Sequence, residues 1–351
     1  MESDAIPEAV NSLHSPGLVC ILFSFTMLAS AVAQQAAPHT EIHGGEITLG
    51  IYLPDVMNGY YRGTRFDWSG VINSLKFRGH EYFGQWVDNY NPLTHDAITG
   101  PVNVFDTDGG GLGYTAAKAG GTFVRIGVGL LRKPDDSPYK GTFTYPILNP
   151  GKWTIVKKAN WIEFTQQLPD KGEFGYVYRK RITLHKDKPE MLISYSLTNV
   201  GHKSIDTTQF NHNFFIMDGQ TSGPGIVVRF PFEPRPQQAV NEAIQIRGKE
   251  IHFVKSLTGP QRVYEVLDGY QAVAQDYDIS IENQITGSGV RITSDLPLAR
   301  LIFWSRPRVV GPEPYVALHV APGETTHWQL RYSFYILKKN GMQTKNQKES
   351  Q

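Results

Sequence analysis

The sequence predicts an all-β protein, built as one large antiparallel β-sandwich. Apolar and polar residues alternate along several segments, and clusters rich in glycine, proline and aspartate separate these segments. Because successive side chains of a strand point to opposite faces, this alternation is typical of strands with one buried face. No segment after residue 45 keeps the 3.6-residue apolar period of a helix over four turns. The 34 glycines and 22 prolines suit a fold with many turns.

Four segments carry the alternation most clearly. FVRIGVGLL, which starts at Phe123, comes first, and YVYRKRITL follows at residues 176–184. MLISYSLTN, residues 191–199, places isoleucine, tyrosine and leucine opposite two serines and a threonine. In WQLRYSFYI, residues 328–336, the first residue and every second one after it are apolar or aromatic. We expect each segment to be a strand with its apolar face in the core.

The chain divides into a leader, a linker, one domain and a tail. The apolar run LVCILFSFTMLAS ends at residue 30, and the small residues Ala31 and Ala33 predict a signal peptide over residues 1–33. The protein is therefore expected to be exported, to a periplasm or outside the cell. The leader has acidic residues and no Lys or Arg, so a membrane-anchored N-terminus is the alternative. The expected arrangement has three further parts: a flexible linker (34–44), the β-sandwich (45–338) and a disordered tail (339–351).

Composition excludes several classes of function. A formal net charge of +1 favours neither nucleic acid nor an anionic membrane as a partner. The single cysteine, Cys20, lies in the leader, so the mature chain would have no disulfide, thiolate metal site or cysteine nucleophile. The chain also lacks the GxSxG, P-loop, HExxH and paired CxxC motifs of common hydrolase, nucleotide and zinc sites.

One histidine stands out as a chemical group. In QFNHNFFIMDG, residues 209–219, His212 lies between Asn211 and Asn213 and directly before two phenylalanines. At a rigid strand end, flanking amides could orient the imidazole as a proton donor. The alternative is a half-buried polar group beside buried aromatic residues. Histidines, carboxylates and aromatic residues on strands and loops are the groups from which sugar sites are built. Four aromatic residues could either stack on a sugar ring or belong to the core: Tyr60, Tyr61, Trp68 and Trp86.

Three segments, in the same order, resemble the aldose 1-epimerase (galactose mutarotase) superfamily. They are GTRFDWSGVINSLKFRGHEY at residues 63–82, LTNVGHKSIDTTQFNHNFFIMDG at residues 197–219, and GPEPYVALHVAPGETTHWQLRYSF at residues 311–334. The resemblance extends over most of residues 45–337, although its motifs are short. It implies the large β-supersandwich fold of that superfamily.

The resemblance also implies site residues. The histidine of the family's Asn-His motif corresponds to His212, the general acid, and the glutamate of its Glu-Pro segment corresponds to Glu313, the general base. Arg65 corresponds to the substrate-binding arginine. His95, in LTHDAITGP, is a substitute for a second histidine whose motif has no clean copy, and Asp268, in VLDGY, matches a sugar-binding aspartate by spacing.

Each assignment has an ordinary structural alternative. Arg65 could form an ion pair with Asp67 or Glu81. His95 could be a solvated loop histidine, and Asp268 a turn residue. An acid between two prolines, as in the PEP segment around residue 313, is usually only solvated.

The activity that the resemblance implies is the interconversion of sugar anomers by general acid and base catalysis, without a cofactor or metal. The partner would be a small-molecule sugar or the end of a glycan, with no nucleic acid and no stable membrane insertion after signal cleavage. We expect His212 and Glu313 to face each other across a hollow wide enough for one pyranose. The alternatives are a non-catalytic carbohydrate-binding protein on the same fold and a structural protein of the cell envelope. A sugar-phosphate epimerase would need a second arginine cluster, which the sequence lacks.

Overall fold

A computed structural model of the chain describes residues 37–107, 110–169 and 173–338. These residues form 23 strands and two short 3-10 helices, Met217–Gly219 and Ala274–Asp276. The strands are β1, His39–Gly44; β2, Ile47–Tyr52; β3, Val71–Phe77; β4, His80–Glu81; β5, Val102–Asp106; β6, Thr122–Arg125; β7, Gly129–Arg132; β8, Ile147–Asn149; β9, Lys152–Lys157; β10, Trp161–Leu168; β11, Tyr176–Leu184; β12, Glu190–Asn199; β13, Ile205–His212; β14, Ile226–Arg229; β15, Arg235–Pro236; β16, Ile244–Arg247; β17, Glu250–Phe253; β18, Val263–Asp268; β19, Asp278–Asn283; β20, Ser288–Ser294; β21, Arg300–Arg306; β22, Val309–Val320; and β23, Thr325–Ile336.

Two large antiparallel sheets dominate the architecture. One has ten strands in the order β16-β17-β14-β19-β20-β23-β12-β11-β10-β9, and the other has six in the order β15-β18-β21-β22-β13-β5. Smaller sheets are formed by β1 to β4 and by β6 to β8. The predicted all-β fold class, a large antiparallel sandwich, is therefore confirmed.

The inner faces of the two large sheets meet in the core. Trp328, Leu330, Tyr332 and Phe334 of β23 are all at most 2% exposed, as their alternation predicts. A side-chain hydrogen bond joins the two sheets: the Trp328 indole N–H of β23 donates to the Gln209 side chain of β13 at 3.1 Å. The candidate site lies on the outer face of the six-stranded sheet, which points away from the ten-stranded sheet.

Two predictions about elements are wrong. The segment FVRIGVGLL is not one strand, since it turns at Gly127 and pairs with itself as β6 and β7. Gly127 has φ of +84°, and a Cβ there would come within 2.6 Å of Asp67, so a side chain is excluded from this turn. His39–Gly44, expected to belong to a flexible linker, forms β1 and pairs with Ile47–Tyr52.

A lysine on the predicted buried face of β11 is truly buried. The Lys180 side chain is completely enclosed, with its ammonium 3.7 Å from the Asp67 carboxylate and donating to the carbonyl of Ser69 at 2.8 Å. Tyr178 also donates to Asp67, at 3.0 Å. Burial lowers the pKa of Lys180 and raises the pKa of Asp67. This polar cluster fixes the segment before β3 onto the ten-stranded sheet.

The predicted signal peptide (1–33) and tail (339–351) lie outside the described residues. Among the residues that the structure describes, no helix has the length and apolar character needed to cross a bilayer.

Candidate active site

Sheet register brings His212 and Glu313 together. Strands β13 and β22 pair antiparallel with Phe210 opposite Tyr315, so the same register continued by two residues sets His212 opposite Glu313. Directly opposed residues of an antiparallel pair have Cβ atoms about 4.5 to 5.5 Å apart. Two groups separated by a hundred residues of sequence thus become cross-strand neighbours on the outer face of the six-stranded sheet.

The two side chains touch each other directly. Nε2 of His212 lies 3.0 Å from Oε1 of Glu313, and the side chains are only 3% and 6% exposed. The expectation of a gap wide enough for one pyranose between them is therefore wrong for this conformation. The reason is the register itself, which makes the imidazole and the carboxylate immediate partners. The other carboxylate oxygen, Oε2, accepts from the Tyr315 hydroxyl at 3.5 Å.

Aromatic rings hold the imidazole in place. The His212 ring stacks on Phe214 with centroids 3.8 Å apart, and Trp304 meets it edge to face at 4.8 Å. A Cβ at Gly311 would come within 2.8 Å of the Asn213 carbonyl oxygen, so glycine there allows the two backbones to approach closely beside His212. Nδ1 is buried and has no hydrogen-bond partner within the described residues. In the neutral ring the hydrogen therefore belongs on Nε2, where Glu313 accepts it.

A second charged group lies next to this pair. Arg65 Nη1 is 2.6 Å from Asp96 Oδ1, and His95 Nε2 is 3.1 Å from Asp96 Oδ2. Burial alone would raise the pKa of Asp96, but the hydrogen bond from His95 and the charge of Arg65 lower it to about 2. Burial acts to lower the pKa of Arg65, but the charges of the Asp96 and Glu313 carboxylates have the larger effect. The pKa of Arg65 is therefore raised.

The partner of Arg65 is therefore neither of the two acids considered from sequence. Asp67 interacts with Lys180, and Glu81 accepts hydrogen bonds from Ser74 and from the backbone of Leu75. Arg65 and His95, which the resemblance assigns to substrate binding, share one carboxylate. Their sugar-binding roles remain predictions.

Asp268 is not brought to the same place. It is exposed at the end of β18, where its carboxylate accepts from the Gln237 side chain at 3.2 Å. The register of β18 and β21, continued by one residue, sets it opposite Arg300, whose guanidinium lies 5.5 Å from the Tyr315 ring centre. Asp268 thus shares the outer face with Glu313 but lies two strands away, which spacing in the sequence could not reveal.

A cavity of about 300 Å³ opens beside the His212–Glu313 pair. Its lining combines an aromatic wall with charged and hydroxyl groups, and comprises Arg65, Val104, Asp106, Arg125, Tyr139, Gly141, Thr142, Phe210 and Tyr315. Phe210 and Tyr315 stack with centroids 4.1 Å apart. Arg65 and Tyr315 also lie next to Glu313, so these two residues separate the cavity from the His212–Glu313 pair. Its volume is at the lower end of the range of about 300 to 1,000 Å³ typical of small-molecule pockets.

The four aromatic residues considered as sugar-stacking groups are core residues. Tyr60, Tyr61, Trp68 and Trp86 are all at most 7% exposed. The Trp68 and Trp86 indole N–H groups donate to backbone carbonyls at 2.8 and 2.9 Å. The aromatic wall of the cavity is formed by other residues.

Sequence reasoning missed Asp96, Tyr139 and Tyr315. Two of them had a signal: Asp96 directly follows His95, and Tyr315 is two residues after Glu313 and so on the same strand face. Tyr139 had none, because it lies in the irregular loop between β7 and β8. Within residues 37–107, 110–169 and 173–338, no group of three or more His, Cys, Asp and Glu side chains is arranged to hold a metal ion.

Comparison with solved structures identifies the architecture. A galactose mutarotase-like protein from Clostridium acetobutylicum superposes with a TM-score of 0.53 at 11% identity, covering 85% of this chain and 95% of that one. The GalM/aldose epimerase homologue from C. elegans gives a TM-score of 0.53 at 12% identity, covering 86% of this chain and 100% of that one. This chain has the galactose mutarotase-like fold.

A galactose mutarotase related enzyme from Lactobacillus acidophilus is similar over 86% of this chain and 100% of that one, at 11% identity and a TM-score of 0.50. The sequence matches no protein-family model and no curated protein. At identities this low, the galactose mutarotase-like likeness establishes the fold, and function has to be argued from the site.

Proposed function

We propose that the protein is an aldose 1-epimerase-like enzyme that interconverts sugar anomers by general acid and base catalysis. The observation that carries the proposal is the convergence of His212 and Glu313, 3.0 Å apart, beside a polar cavity of about 300 Å³. The fold supports it, because the solved proteins that share it include one described as an aldose epimerase homologue.

The two side chains can perform both proton transfers. With both ring nitrogens of His212 protonated, Nε2–H protonates the ring oxygen while Glu313 removes the proton of the C1 hydroxyl. The bond between C1 and the ring oxygen breaks, and the imidazole is left neutral. The free aldehyde rotates, and attack of the hydroxyl on its other face closes the ring and returns both protons. Positioned proton transfer of this kind contributes about 10² to 10⁴ in rate.

Catalysis requires the pair to open. A pyranose cannot enter between two atoms at hydrogen-bond distance, so the sugar has to displace Glu313 from His212 Nε2. Oε2 of Glu313 already faces the Tyr315 hydroxyl, and Tyr315 lines the cavity. Rotation of the carboxylate toward the cavity would place it against a bound sugar and free Nε2–H.

The test compares two buried glutamates of the same sheet. Glu313→Gln should abolish enzyme-catalysed mutarotation of freshly dissolved aldoses, followed by polarimetry, while sugar binding persists. As whole residues, Glu265 and Glu313 are equally buried, each 4% exposed, and Glu265 accepts a hydrogen bond from the Asn241 backbone, away from the cavity. Glu265→Gln should therefore keep the activity. Full activity in Glu313→Gln would overturn the proposed mechanism.

One observation favours a second candidate, a non-catalytic carbohydrate-binding protein. The His212–Glu313 pair is closed and almost fully buried, which is also what a structural ion pair looks like. The two candidates differ in one measurement, because the binding protein would retain sugar without accelerating mutarotation.

Export is the remaining part of the proposal. It is supported by the apolar run that ends at residue 30 and by the small residues that follow it. The mature chain should begin at Gln34. Mass spectrometry of protein expressed with its leader checks this, and an uncleaved N-terminus would contradict it.

A further inference from the structure

The backbone ladder between β13 and β22 is interrupted beside the proposed catalytic pair. Its regular pairs end at Phe210 and Tyr315, and the same register resumes at an isolated bridge between Phe215 and Val310. These last two residues exchange two N–H···O bonds of 2.9 Å each, which makes them a hydrogen-bonded pair. Hydrogen-bonded and non-hydrogen-bonded pairs alternate along an antiparallel ladder, so the type of each pair in the interrupted stretch follows from this bridge.

Two prolines remove donors from the interrupted stretch. Counted in steps of two from the bridge, Pro312 and Pro314 occupy positions that should each donate a ladder hydrogen bond to β13, but proline has no N–H. Glu313, between them, falls in the other type of pair, opposite His212, where side chains approach most closely. The backbone on both sides of Glu313 is therefore held to β13 by fewer ladder bonds.

The Asn213 side chain supplies a hydrogen bond in this stretch. Its Nδ2 donates to the carbonyl oxygen of Pro312 at 2.9 Å and to that of Asn211 at 3.1 Å. Its Oδ1 accepts from the hydroxyl of Tyr332 at 2.8 Å, and Tyr332 belongs to β23 of the ten-stranded sheet. Asn213 and Tyr332 are both completely buried. The carbonyl next to Glu313 is thus linked through one asparagine to the opposite sheet.

The asparagines that flank His212 point to the inner face of the sheet and not to the imidazole. Asn211 donates to the Tyr332 hydroxyl at 3.2 Å, so the two asparagines share one hydroxyl of the ten-stranded sheet. Nδ1 of the imidazole has no hydrogen-bond partner within the described residues, and Nε2 lies against Glu313. The amides therefore act on the strand that carries the glutamate and not on the histidine ring.

We propose that Asn213 is a positioning residue that holds the backbone beside Glu313, so that the carboxylate is fixed against Nε2 of His212 and only its rotation is needed to reach a bound sugar. The inference rests on the proposed function for the reaction that is served, but the geometry it predicts is measurable without activity. Asn213 lies on the core side of the sheet and is not part of the cavity lining. Its loss should therefore lower kcat and leave KM unchanged.

The test compares Asn213→Ala with a matched control, Asn199→Ala. Asn199 is also completely buried, and it donates to the carbonyl of Val320 at 2.8 Å. That carbonyl is at the other end of β22 from Glu313, roughly 23 Å away along the strand. Each asparagine side chain takes part in three hydrogen bonds. Both variants should therefore lower the melting temperature, measured by circular dichroism, by about 2 to 6 °C.

Two measurements separate positioning from stability. In sugar-free protein labelled with ¹⁵N-histidine, the proton on Nε2 of His212 should give a downfield imidazole resonance, because the pair is buried and hydrogen-bonded. The loss of this resonance in His212→Gln assigns it. Asn213→Ala should move the resonance upfield or broaden it, and should lower kcat for mutarotation about 10- to 100-fold with KM unchanged. Asn199→Ala should change neither the resonance nor kcat.

The outcomes separate this inference from the proposed function. An unmoved His212 resonance in Asn213→Ala overturns the inference, and so does an unchanged kcat in that variant of an active protein or a native protein without the resonance. If Asn213→Ala does not fold, Tyr332→Phe takes its place, because it removes only the hydroxyl that donates to Asn213, and the same shift decides. If the resonance moves as expected but the native protein does not accelerate mutarotation, the positioning of the pair stands and the proposed function fails.

Discussion

At the scale of single residues, Asp96 sets the electrostatics beside the site. Its carboxylate lies between Arg65 and His95, and its pKa is lowered from 3.8 to about 2. A carboxylate with a depressed pKa stabilises the fold above the pKa of the unfolded chain, and that contribution is lost as the pH falls through the folded value. Asp96 therefore contributes about 2 kcal/mol at neutral pH, which disappears between about pH 4 and pH 2.

Asp96→Asn should thus reduce the free energy of unfolding at pH 6 and make it less dependent on pH below 4. Urea denaturation from pH 6 to the lowest pH at which the protein folds measures both. A matched control is Asp206→Asn, which removes the exposed partner of His319 and should change stability little. Equal effects of the two variants on the free energy of unfolding would contradict the claim that Asp96, between Arg65 and His95, stabilises the fold.

Single residues also show what the sequence could and could not predict. His212 and Glu313 were identified from short motifs, yet their contact follows from the β13–β22 register, which no local pattern encodes. Asp96 contacts Arg65 from 31 positions away, whereas the acids nearest to Arg65 in sequence have other partners. Spacing and one following aromatic residue are the basis for assigning Asp268, whereas the structure places it exposed at the end of β18, two strands away from Glu313.

At the scale of elements, the β6–β7 turn depends on Gly127. Alanine there would have to adopt the left-handed φ of +84°, and its Cβ would lie 2.6 Å from the Asp67 side chain. Gly127→Ala should reduce the free energy of unfolding by more than the 1 to 2 kcal/mol (roughly) that left-handed φ alone costs. Gly248→Ala is the control, because its φ is +55° but no atom lies within 4 Å of the added Cβ. Similar losses in both variants would show that contact with Asp67 is unimportant.

The buried Lys180–Asp67 pair joins β11 to the segment before β3. Lys180→Met leaves a carboxylate buried without its cation and should reduce the free energy of unfolding by about 3 to 5 kcal/mol. Adding Asp67→Asn to that variant should restore part of the loss. A double-mutant cycle of denaturation measurements gives the coupling, and additive effects would contradict a direct interaction.

Element types were predictable where alternation is long and uninterrupted. In β23 the pattern from Trp328 to Phe334 matches the buried face, although Ile336, the next residue in the pattern, is 37% exposed at the strand end. A single strand is wrongly predicted for FVRIGVGLL because the alternation continues through Gly127. The left-handed conformation of that glycine does not show in the hydropathy pattern. Strand β1 escaped prediction because its partner, β2, supplies most of the apolar residues of that hairpin.

At the scale of the whole molecule, the last strand completes the fold. β23 lies between β20 and β12 in the ten-stranded sheet, and it supplies Trp328, Leu330, Tyr332 and Phe334 to the core. A chain that ends at Gly323 should therefore show no cooperative thermal unfolding by circular dichroism, whereas a chain that ends at Lys338 should unfold like the full sequence. Cooperative unfolding of the shorter chain would contradict the central role of β23.

We propose that His212 and Glu313 exchange the anomers of a sugar bound beside them. Exchange NMR spectroscopy of an aldose at anomeric equilibrium tests it most directly, because it detects interconversion and binding in one sample. We expect exchange cross-peaks between α and β anomers that depend on the native protein and vanish with Glu313→Gln and His212→Gln, while the sugar lines still broaden. Broadened lines without protein-dependent cross-peaks in the native sample would contradict the account.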